Sequence, residues 1–537
     1  MGLEGKFSLG RMVPLTVRVP PMEAKPAELL VRQKLGNPLR GSATVDFNFS
    51  LRETERNSEG VFELTLPIYD LAQPLEIRLR DEQGKIQLSK EVPLEEGWSQ
   101  SPFSLAVGDF PLSLGEGFRR LSREQMPLSW SSYDSVSNLW LGRIPGGLSQ
   151  QKWEALGEWV LGGGVLLIFS GSDVYNLDSP GFRRLSPLSS FRLVEGSGET
   201  YLTGVEKDGT ELVMEQGGTP LLFKRRYGTG SVFLVTEGVD GIREKEWEQL
   251  LETVPSSGSL SLQEEATSLL NDTVVNRPSR LLAFLLIGAV LGLFALIVNR
   301  VNRARLRLYL LLGSGMVLIL FSTFYIGQEE TVNNIYLART ELNMRDARSD
   351  WGFGSSWLSF LGANVPGGVT FELERGGDLP PLVQMPQKLK EGRYGYNWKE
   401  GQGLTLTPSG LKREVRTFPQ REEGSLLVSS NGDEKLEVIN ELGAELDQGV
   451  FLTPEGTYPL EGIGRGTNTH YLRSPVSERE IKRWLKEEFV PSYEKMEKSV
   501  PLEGRSWFLG FRKEDQLEKN SGVRTRKRTV KLYVIQA

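Results

Sequence analysis

Two uncharged apolar runs, residues 281–298 and residues 308–327, constrain this chain of 537 residues more than any other feature. A helix of about 18–20 residues is ~27–30 Å long, which matches the roughly 30 Å hydrocarbon core of a bilayer. The sequence therefore predicts a transmembrane helical hairpin over residues 278–328. The short turn between the two runs carries four arginines, Arg300, Arg303, Arg305 and Arg307.

These four arginines set the predicted orientation of the hairpin. Basic residues accumulate in cytoplasmic loops, and the outer flanks of the two runs are less basic. Both large soluble parts are therefore predicted to be extracytoplasmic, in a multi-pass protein of the cell membrane that has the lipid bilayer as a partner. Residues 1–19 contain no apolar signal segment, so this topology expects an export signal upstream, and the inverted orientation is the alternative.

Composition excludes several kinds of site. The sequence has no cysteine, which removes thiolate nucleophiles, disulfides and thiolate-bound metal centres. A net charge of −6 argues against nucleic acid as a partner. Gly462, Gly464 and Gly466 are interpreted as turn glycines, because they do not join a strand to a helix as a dinucleotide fingerprint does. No cofactor and no metal site is predicted.

Periodicity divides the rest of the chain into domains. Residues 1–98 alternate apolar and polar positions in short segments, which predicts an immunoglobulin-like β-sandwich. Residues 99–255 alternate strand-like and helix-like segments, typical of an α/β domain, and residues 256–277 read as a linker. Residues 329–537 are predicted to form a mainly-β domain with an amphipathic helix at residues 478–498. The predicted fold class is a multi-domain α+β membrane protein.

The α/β region contains the most specific local signals. Ser149 is a predicted helix cap, and the glycines at residues 162–164 end that helix. The apolar run at residues 165–169 is typical of a central parallel strand that is buried on both faces. Residues 112–121 are predicted to be helical.

Two runs in this region resemble a known family. Residues 146–172 read GGLSQQKWEALGEWVLGGGVLLIFSGS, and residues 225–238 read RRYGTGSVFLVTEG. They resemble the class I glutamine amidotransferase-like domain of uncharacterised bacterial membrane proteins, in which a β-sandwich precedes the domain and membrane helices follow it. Active members of the wider superfamily use a nucleophilic cysteine with a histidine and a glutamate. This chain has no cysteine and one histidine, His470, so the resemblance implies a catalytically degenerate domain.

One loop is the predicted ligand-binding site. It follows the predicted central strand and consists of Ser170, Gly171, Ser172 and Asp173. Open α/β sheets bind ligands at the carboxyl edge of their strands, which is where this loop is expected. Ser172 is the residue that a serine-dependent hydrolase would use, provided that a general base activates it. No catalytic residue is predicted.

The leading functional hypothesis is a non-enzymatic, membrane-anchored cell-envelope protein that presents extracytoplasmic domains for partner docking or scaffolding. It rests on the lack of an assembled catalytic constellation, and it expects a protein partner in the membrane or envelope. One alternative is an accessory subunit of an ABC-type transport system, since degenerate amidotransferase-like domains also occur in such subunits. The second alternative is a serine-dependent hydrolase.

Overall fold

Strands dominate the computed structural model of this chain. The structure describes residues 1–254 with short gaps, isolated positions between 292 and 313, residues 334–476 with gaps, and residues 507–536 with one gap. Within these residues, alternation of apolar and polar side chains sets most of the local structure.

The alternating sequence of the first part of the chain forms short strands. On Met12–Arg18, for example, Val13 and Leu15 enter the sandwich core while Thr16 is exposed, because successive side chains of a strand point to opposite faces. The strands are β1 (Phe7–Ser8), β2 (Met12–Arg18), β3 (Glu28–Asn37), β4 (Gly41–Ser50), β5 (Val61–Pro67), β6 (Leu75–Arg80), β7 (Ile86–Val92) and β8 (Trp98–Ser99).

The second part mixes strands with short helices. Ser149 caps the first helix, since its hydroxyl oxygen accepts the amide of Lys152 at 3.4 Å. The elements are β9 (Phe103–Val107), β10 (Phe118–Leu121), a 3₁₀ turn (Trp130–Tyr133), β11 (Val136–Leu141), α1 (Gln150–Leu161), β12 (Val165–Phe169), α2 (Pro180–Leu185), β13 (Leu188–Gly196), β14 (Glu199–Glu206), β15 (Thr210–Gln216), β16 (Thr219–Tyr227), β17 (Gly230–Val235), a second 3₁₀ turn (Val239–Gly241) and α3 (Glu244–Thr253).

The third part is formed by strands in the residues that the structure describes. They are β18 (Asn334–Asp346), β19 (Trp351–Leu361), β20 (Val369–Phe371), β21 (Leu382–Val383), β22 (Arg393–Lys399), β23 (Gly403–Thr407), β24 (Lys412–Glu423), β25 (Leu426–Ser430), β26 (Lys435–Asn440), β27 (Leu446–Thr453), β28 (Gly456–Ile463), β29 (Gly466–Tyr471), β30 (Trp507–Asn520) and β31 (Val523–Gln536).

The α/β layer is a sheet in the order β10-β9-β11-β12-β17-β16-β15. Its first five strands are parallel, and β16 and β15 are antiparallel. In chain order the parallel strands run 2-1-3-4-5, which is a doubly wound arrangement. One face packs against α1 and α2, the other against α3, so all five residues of β12 are buried.

The N-terminal sandwich takes strands from the first and third parts of the chain. Its large sheet has the order β20-β23-β22-β4-β3-β6-β7, and it packs against a two-stranded ribbon of β2 and β5. Strand β22 lies parallel to β4. Across this pair the side-chain amide of Asn48 donates to Asn397 Oδ1 at 2.6 Å and to the carbonyl oxygen of Trp398 at 3.2 Å. Trp398 is fully buried and meets the Phe49 ring edge to face at 5.2 Å.

Strands β1 and β8 pair with each other, as do β13 and β14, and the other strands form a second sandwich. A sheet in the order β21-β24-β19-β18-β31-β30-β27-β28 packs against the three-stranded sheet β25-β26-β29. Charged side chains are also buried here on the central strand β18. Glu341 lies 3.4 Å from Arg339 and 3.3 Å from Lys531, which offsets the cost of its burial.

The predicted membrane architecture is wrong. In the part of the chain that the structure describes, no helix is long and apolar enough to cross a membrane. Among these helices α1 is the longest, with 12 residues and a length of about 18 Å. These findings contradict the α+β membrane fold class, the transmembrane description and the multi-pass location in the cell membrane. The fold class is corrected to mainly β with one α/β layer.

The predicted hairpin is described only at isolated positions. Gly292, residues 295–297 and Gly313 are helical, and the other residues of the range 278–328 lie outside the described residues. Hydropathy counts residue types, whereas a span needs about 20 residues in one continuous helix. The four arginines assigned to the cytoplasmic turn also lie outside the described residues: Arg300, Arg303, Arg305 and Arg307.

Two predicted helices have different outcomes. Within residues 112–121, Phe118–Leu121 is strand β10 instead of helix. This short segment carries little periodicity of its own, and its parallel pairing with β9, Phe118 opposite Ser104, decides its conformation. The amphipathic helix predicted at residues 478–498 lies outside the described residues, as does the linker at residues 256–277.

Truncation of Trp398 tests how much its packing stabilises the pairing of β22 with β4. Trp398→Ala is expected to lower the free energy of unfolding by about 3–5 kcal/mol, because it leaves a cavity in the sandwich core. Denaturant unfolding followed by circular dichroism measures this loss. The control is Trp98→Ala, which removes a tryptophan that is 40% exposed and is expected to cost less than about 1 kcal/mol. Equal losses in the two variants would contradict the assigned role of Trp398.

Candidate functional site

Doubly wound sheets bind ligands at the carboxyl ends of their strands, where the strand order reverses. In this sheet that switch point lies between β9 and β11. The two strands lead there into Gly108 and Asp109 on one side and Gly142 and Arg143 on the other. The predicted ligand-binding residues follow β12 in sequence but lie outside the described residues: Ser170, Gly171, Ser172 and Asp173.

The chain's own backbone closes this switch-point crevice. The amide of Gly142 donates to the carbonyl oxygen of Val107 at 2.8 Å, and the amide of Asp109 donates to that of Arg143 at 3.1 Å. A Cβ atom on Gly108, whose φ is +95°, would lie 2.5 Å from the Arg143 oxygen. A Cβ atom on Gly142 would lie 2.7 Å from the Asp109 oxygen. Glycine at both positions therefore lets the two loops meet.

Aromatic side chains fill the core beside the closed crevice. Phe110 follows Asp109 and meets the Phe169 ring edge to face at 5.7 Å. The ring centroid of Phe169 lies 5.3 Å from that of Trp247. The Trp247 ring in turn stacks on that of Trp140, with 5.8 Å between the centroids. Aromatic pairs of this geometry stabilise a core beyond the area that they bury. In the described residues, the aromatic side chains at this edge of the sheet therefore stabilise the core by packing.

A second region does contain a cavity. It lies between the β2–β5 ribbon and the α/β layer, has a volume of about 520 Å³, and is called the junction cleft below. Ligand pockets commonly have volumes of about 300–1,000 Å³. The polar residues of its lining include Glu4, Thr16, Glu63, Gln125, Ser129 and Gln151.

Strand alternation places the ribbon's polar side chains at the junction cleft. On β5, Phe62 and Leu66 enter the sandwich core, so the intervening Glu63 and Thr65 point the other way. Thr16 of β2 is the residue opposite Glu63. The opposing wall comes from the end of β10, the loop after it, the first 3₁₀ turn and the first turn of α1.

Buried polar contacts hold the two walls together. Asp134 accepts the amide of Met12 at 2.9 Å and the guanidinium of Arg11 at 3.4 Å. The hydroxyl of Ser135 donates to the Met12 carbonyl oxygen at 3.3 Å and accepts the amide of Ser8 at 3.4 Å. Met12 is itself fully buried and belongs to the core of the α/β layer. The ribbon is therefore fixed to this layer by both packing and hydrogen bonds.

The charges near the cleft belong to both walls. The carboxyl-bearing residues Glu4 and Glu63 are exposed. On the opposite wall the ammonium group of Lys152 donates to the carbonyl oxygen of Arg123. Burial lowers the pKa of Lys152, Arg123 lowers it further, and Glu124 and Glu63 act in the opposite direction. The cleft thus offers hydrogen-bond acceptors beside the ammonium group of Lys152, which is already bonded to a backbone carbonyl oxygen.

Tyr133 has a structural role in the same wall. It is fully buried, and its hydroxyl donates to the carbonyl oxygen of Pro127 at 3.0 Å. Burial raises the pKa of Tyr133, so the phenol stays protonated at neutral pH. Its neighbour Ser132 places a hydroxyl 3.3 Å from that of Thr65 on the ribbon. These groups support the cleft and do not form a nucleophile and base pair.

The junction cleft was not predicted from the sequence. Its walls come from separate segments that meet only in the folded chain, including residues 2–4, 14–16, 63–65 and 121–132. One usable signal was the serine-rich stretch at residues 129–135, in which small polar residues interrupt an otherwise apolar region. Small side chains with hydroxyl groups are suited to bonding a neighbouring backbone.

Comparison with known proteins does not identify a family. No family model matches the chain, and no curated protein matches it. Among solved structures, a cytoplasmic protein from Salmonella typhimurium matches 29% of this chain and 100% of its own, at 11% identity and a TM-score of 0.24.

Two glycosidases also show partial similarity. An exo-β-1,4-mannosidase from Opitutaceae bacterium strain TAV5 matches 28% of this chain at 14% identity and a TM-score of 0.20, and the match spans 33% of its own length. A β-galactosidase from Bacillus circulans sp. alkalophilus matches 59% of this chain and 42% of its own, at 10% identity and a TM-score of 0.18. At such TM-scores these similarities carry no argument about fold or function.

Removal of the Asp134 carboxylate tests the attachment of the ribbon. Asp134→Ala is expected to lower the free energy of unfolding by about 1–3 kcal/mol, because the Met12 amide loses its acceptor. The measurement is denaturant unfolding at neutral pH. Asp109→Ala serves as a control, since this residue is exposed at the closed crevice and its removal is expected to change stability by less than about 0.5 kcal/mol. A silent Asp134→Ala variant would show that the ribbon is held by other contacts.

Proposed function

We propose that this protein is a non-enzymatic docking or scaffolding protein that holds its domains in a fixed arrangement for a protein partner. The observation that carries the proposal is the closure of the switch-point crevice by the backbone of Asp109 and Arg143. Enzymes with a doubly wound sheet keep a crevice for substrate or cofactor at this place. Here the described part of that place is occupied by the chain itself.

The reactive side chains support the same proposal. The sequence has no cysteine and one histidine. That histidine, His470, lies on β29 in the second sandwich, whereas Ser172 follows β12 of the α/β layer. A serine nucleophile needs a base within hydrogen-bond distance, and strands β12 and β29 belong to different sheets. The resemblance to degenerate amidotransferase-like domains, which stays a prediction, agrees with this proposal.

The junction cleft is the proposed docking site. Its walls are held by the Asp134 and Ser135 contacts, so a partner would not have to order them on binding. Its lining combines carboxylate, amide and hydroxyl groups with apolar side chains such as Leu3 and Leu121. This chemistry suits an extended protein segment, whose backbone amides need acceptors and whose side chains need an apolar surface.

A hydrolysis assay tests the absence of catalysis. The purified chain is expected to hydrolyse amide and ester substrates no faster than its Ser172→Ala variant, because the single histidine of the chain lies on β29, in a different sheet from β12. Rates of release from chromogenic esters and amides, measured for both proteins at equal concentration, check this expectation. Hydrolysis by the wild type that disappears in Ser172→Ala would establish the serine-dependent hydrolase instead.

Site-specific crosslinking tests docking at the junction cleft. The chain is free of cysteine, so Gln151→Cys carries a photo-crosslinker at the cleft alone. We expect this variant to capture one partner in the source cell, identified by mass spectrometry, and Val205→Cys, at a side chain 63% exposed on β14, to capture none of it. Equal capture at both positions would refute the cleft as the docking site. Capture of a permease together with its ATPase would assign the protein to a transport system.

A further inference from the structure

The single histidine of the chain lies on the core-facing side of an edge strand. His470 belongs to β29, the last strand of the β25-β26-β29 sheet, and it stands directly opposite Leu436. Leu436 is fully buried in the core of the second sandwich. Directly opposed residues of an antiparallel pair share one face of the sheet. The imidazole ring therefore lies on the face that packs against the larger sheet.

The Nε2 atom of His470 is enclosed without a hydrogen-bond partner in the described part of the chain. Its polar neighbours already serve the adjoining turn. Asn468, on the same face, accepts the amide of Gly464 at 3.0 Å and donates to the carbonyl oxygens of Gly464 and Gly466, both at 2.9 Å. The side-chain amide of Asn440 donates to backbone carbonyl groups of the same region.

Among the described residues, no charged group offsets the partial burial of this ring. Burial alone lowers the pKa of His470. On β26, Lys435 and Glu437 flank Leu436 and so point to the opposite face of the sheet. None of the titratable groups described on the adjoining elements contributes to the shift: Lys435, Glu437, Asp447, Tyr458, Arg465 and Tyr471.

We propose that His470 is an acid-sensitive element that loosens β29 from β26 when its ring is protonated. Protonation adds a positive charge and leaves both ring nitrogens as donors, in a site whose described residues offer Nε2 no acceptor. The ring can regain solvation by turning outward. β29 pairs with β26 alone among the described strands, so this movement costs few other contacts. The inference concerns the second sandwich and does not depend on the proposed docking function.

The direction of the effect follows from linkage. An unperturbed histidine has a pKa of about 6.5, and the folded chain holds that of His470 below its ordinary value. The loosened strand therefore binds a proton more readily than the paired strand. Pairing is fully stable above about pH 6.5 and weakens as the pH falls below it. A lowering by one unit corresponds to a loss of protection of at most about tenfold.

Two measurements on the full chain test this proposal. With labelled histidine, the NMR spectrum contains the signals of a single imidazole ring, and their titration midpoint is expected below 6.5. Hydrogen exchange of the peptide that spans residues 466–471, corrected for the intrinsic rate at each pH, is expected to lose protection between pH 7.5 and pH 5.5. In His470→Gln the protection is expected to be equal at the two pH values, because the neutral amide does not titrate.

Defined outcomes would overturn the proposal. A midpoint at or above 6.5 would show that the enclosed ring accepts the proton without cost. Wild-type protection that is independent of pH would show that the strand stays paired when the ring is charged. The same loss of protection in His470→Gln would assign the effect to carboxyl groups. The NMR titration uses only the wild-type chain, so the test remains decisive if the variant fails to fold.

Discussion

The parallel pairing of β4 with β22 is the contact on which the architecture depends. It joins residues that are 350 positions apart, and closing a flexible loop of that length costs about 5 kcal/mol in its length-dependent part. Burial of a large apolar side chain contributes about 1.5–3 kcal/mol, so the fully buried Tyr396, Trp398 and Leu404 supply an offset of the required size. The hydrogen bonds of Asn48 then specify the register. Strands β20, β22 and β23 of the third part consequently belong to the sandwich of the first part.

The attachment of the α/β layer has a different physical character. It depends on Met12, which belongs to the ribbon by sequence and to the core of the α/β layer by packing, and on the acceptors Asp134 and Ser135. A buried methionine alone would allow the ribbon to rotate against the α/β layer, since its side chain adapts to many shapes. Directed hydrogen bonds to its backbone amide and carbonyl groups remove that freedom. The shape of the junction cleft therefore depends on how the ribbon is attached to the α/β layer as well as on the residues of each wall.

Local sequence patterns predicted parts of this fold, whereas contacts between segments far apart in the sequence could not be predicted. Val165–Phe169 was recognisable as a buried strand because five consecutive apolar residues need cover on both faces, and Ser149 was recognisable as a cap. Phe118–Leu121 was misread because its pairing with β9 overrides a weak local preference. The insertion of β22 beside β4 and the assembly of the junction cleft depend on segments far apart in sequence. The membrane hairpin was predicted from the composition of the two apolar runs, and no helix in the described part of the chain is long and apolar enough to cross a membrane.

In this chain the loops at the switch point of the doubly wound sheet are joined by backbone contacts. A doubly wound sheet acquires a binding site because the loops at its switch point diverge. Gly108 and Gly142 let these loops meet instead, at distances where a Cβ atom on either would collide with the opposite backbone. A residue that reopened the crevice would also break the bonds from Asp109 to Arg143 and from Gly142 to Val107. In the described residues this edge is therefore joined by backbone contacts, whereas the junction cleft lies between the ribbon and the α/β layer.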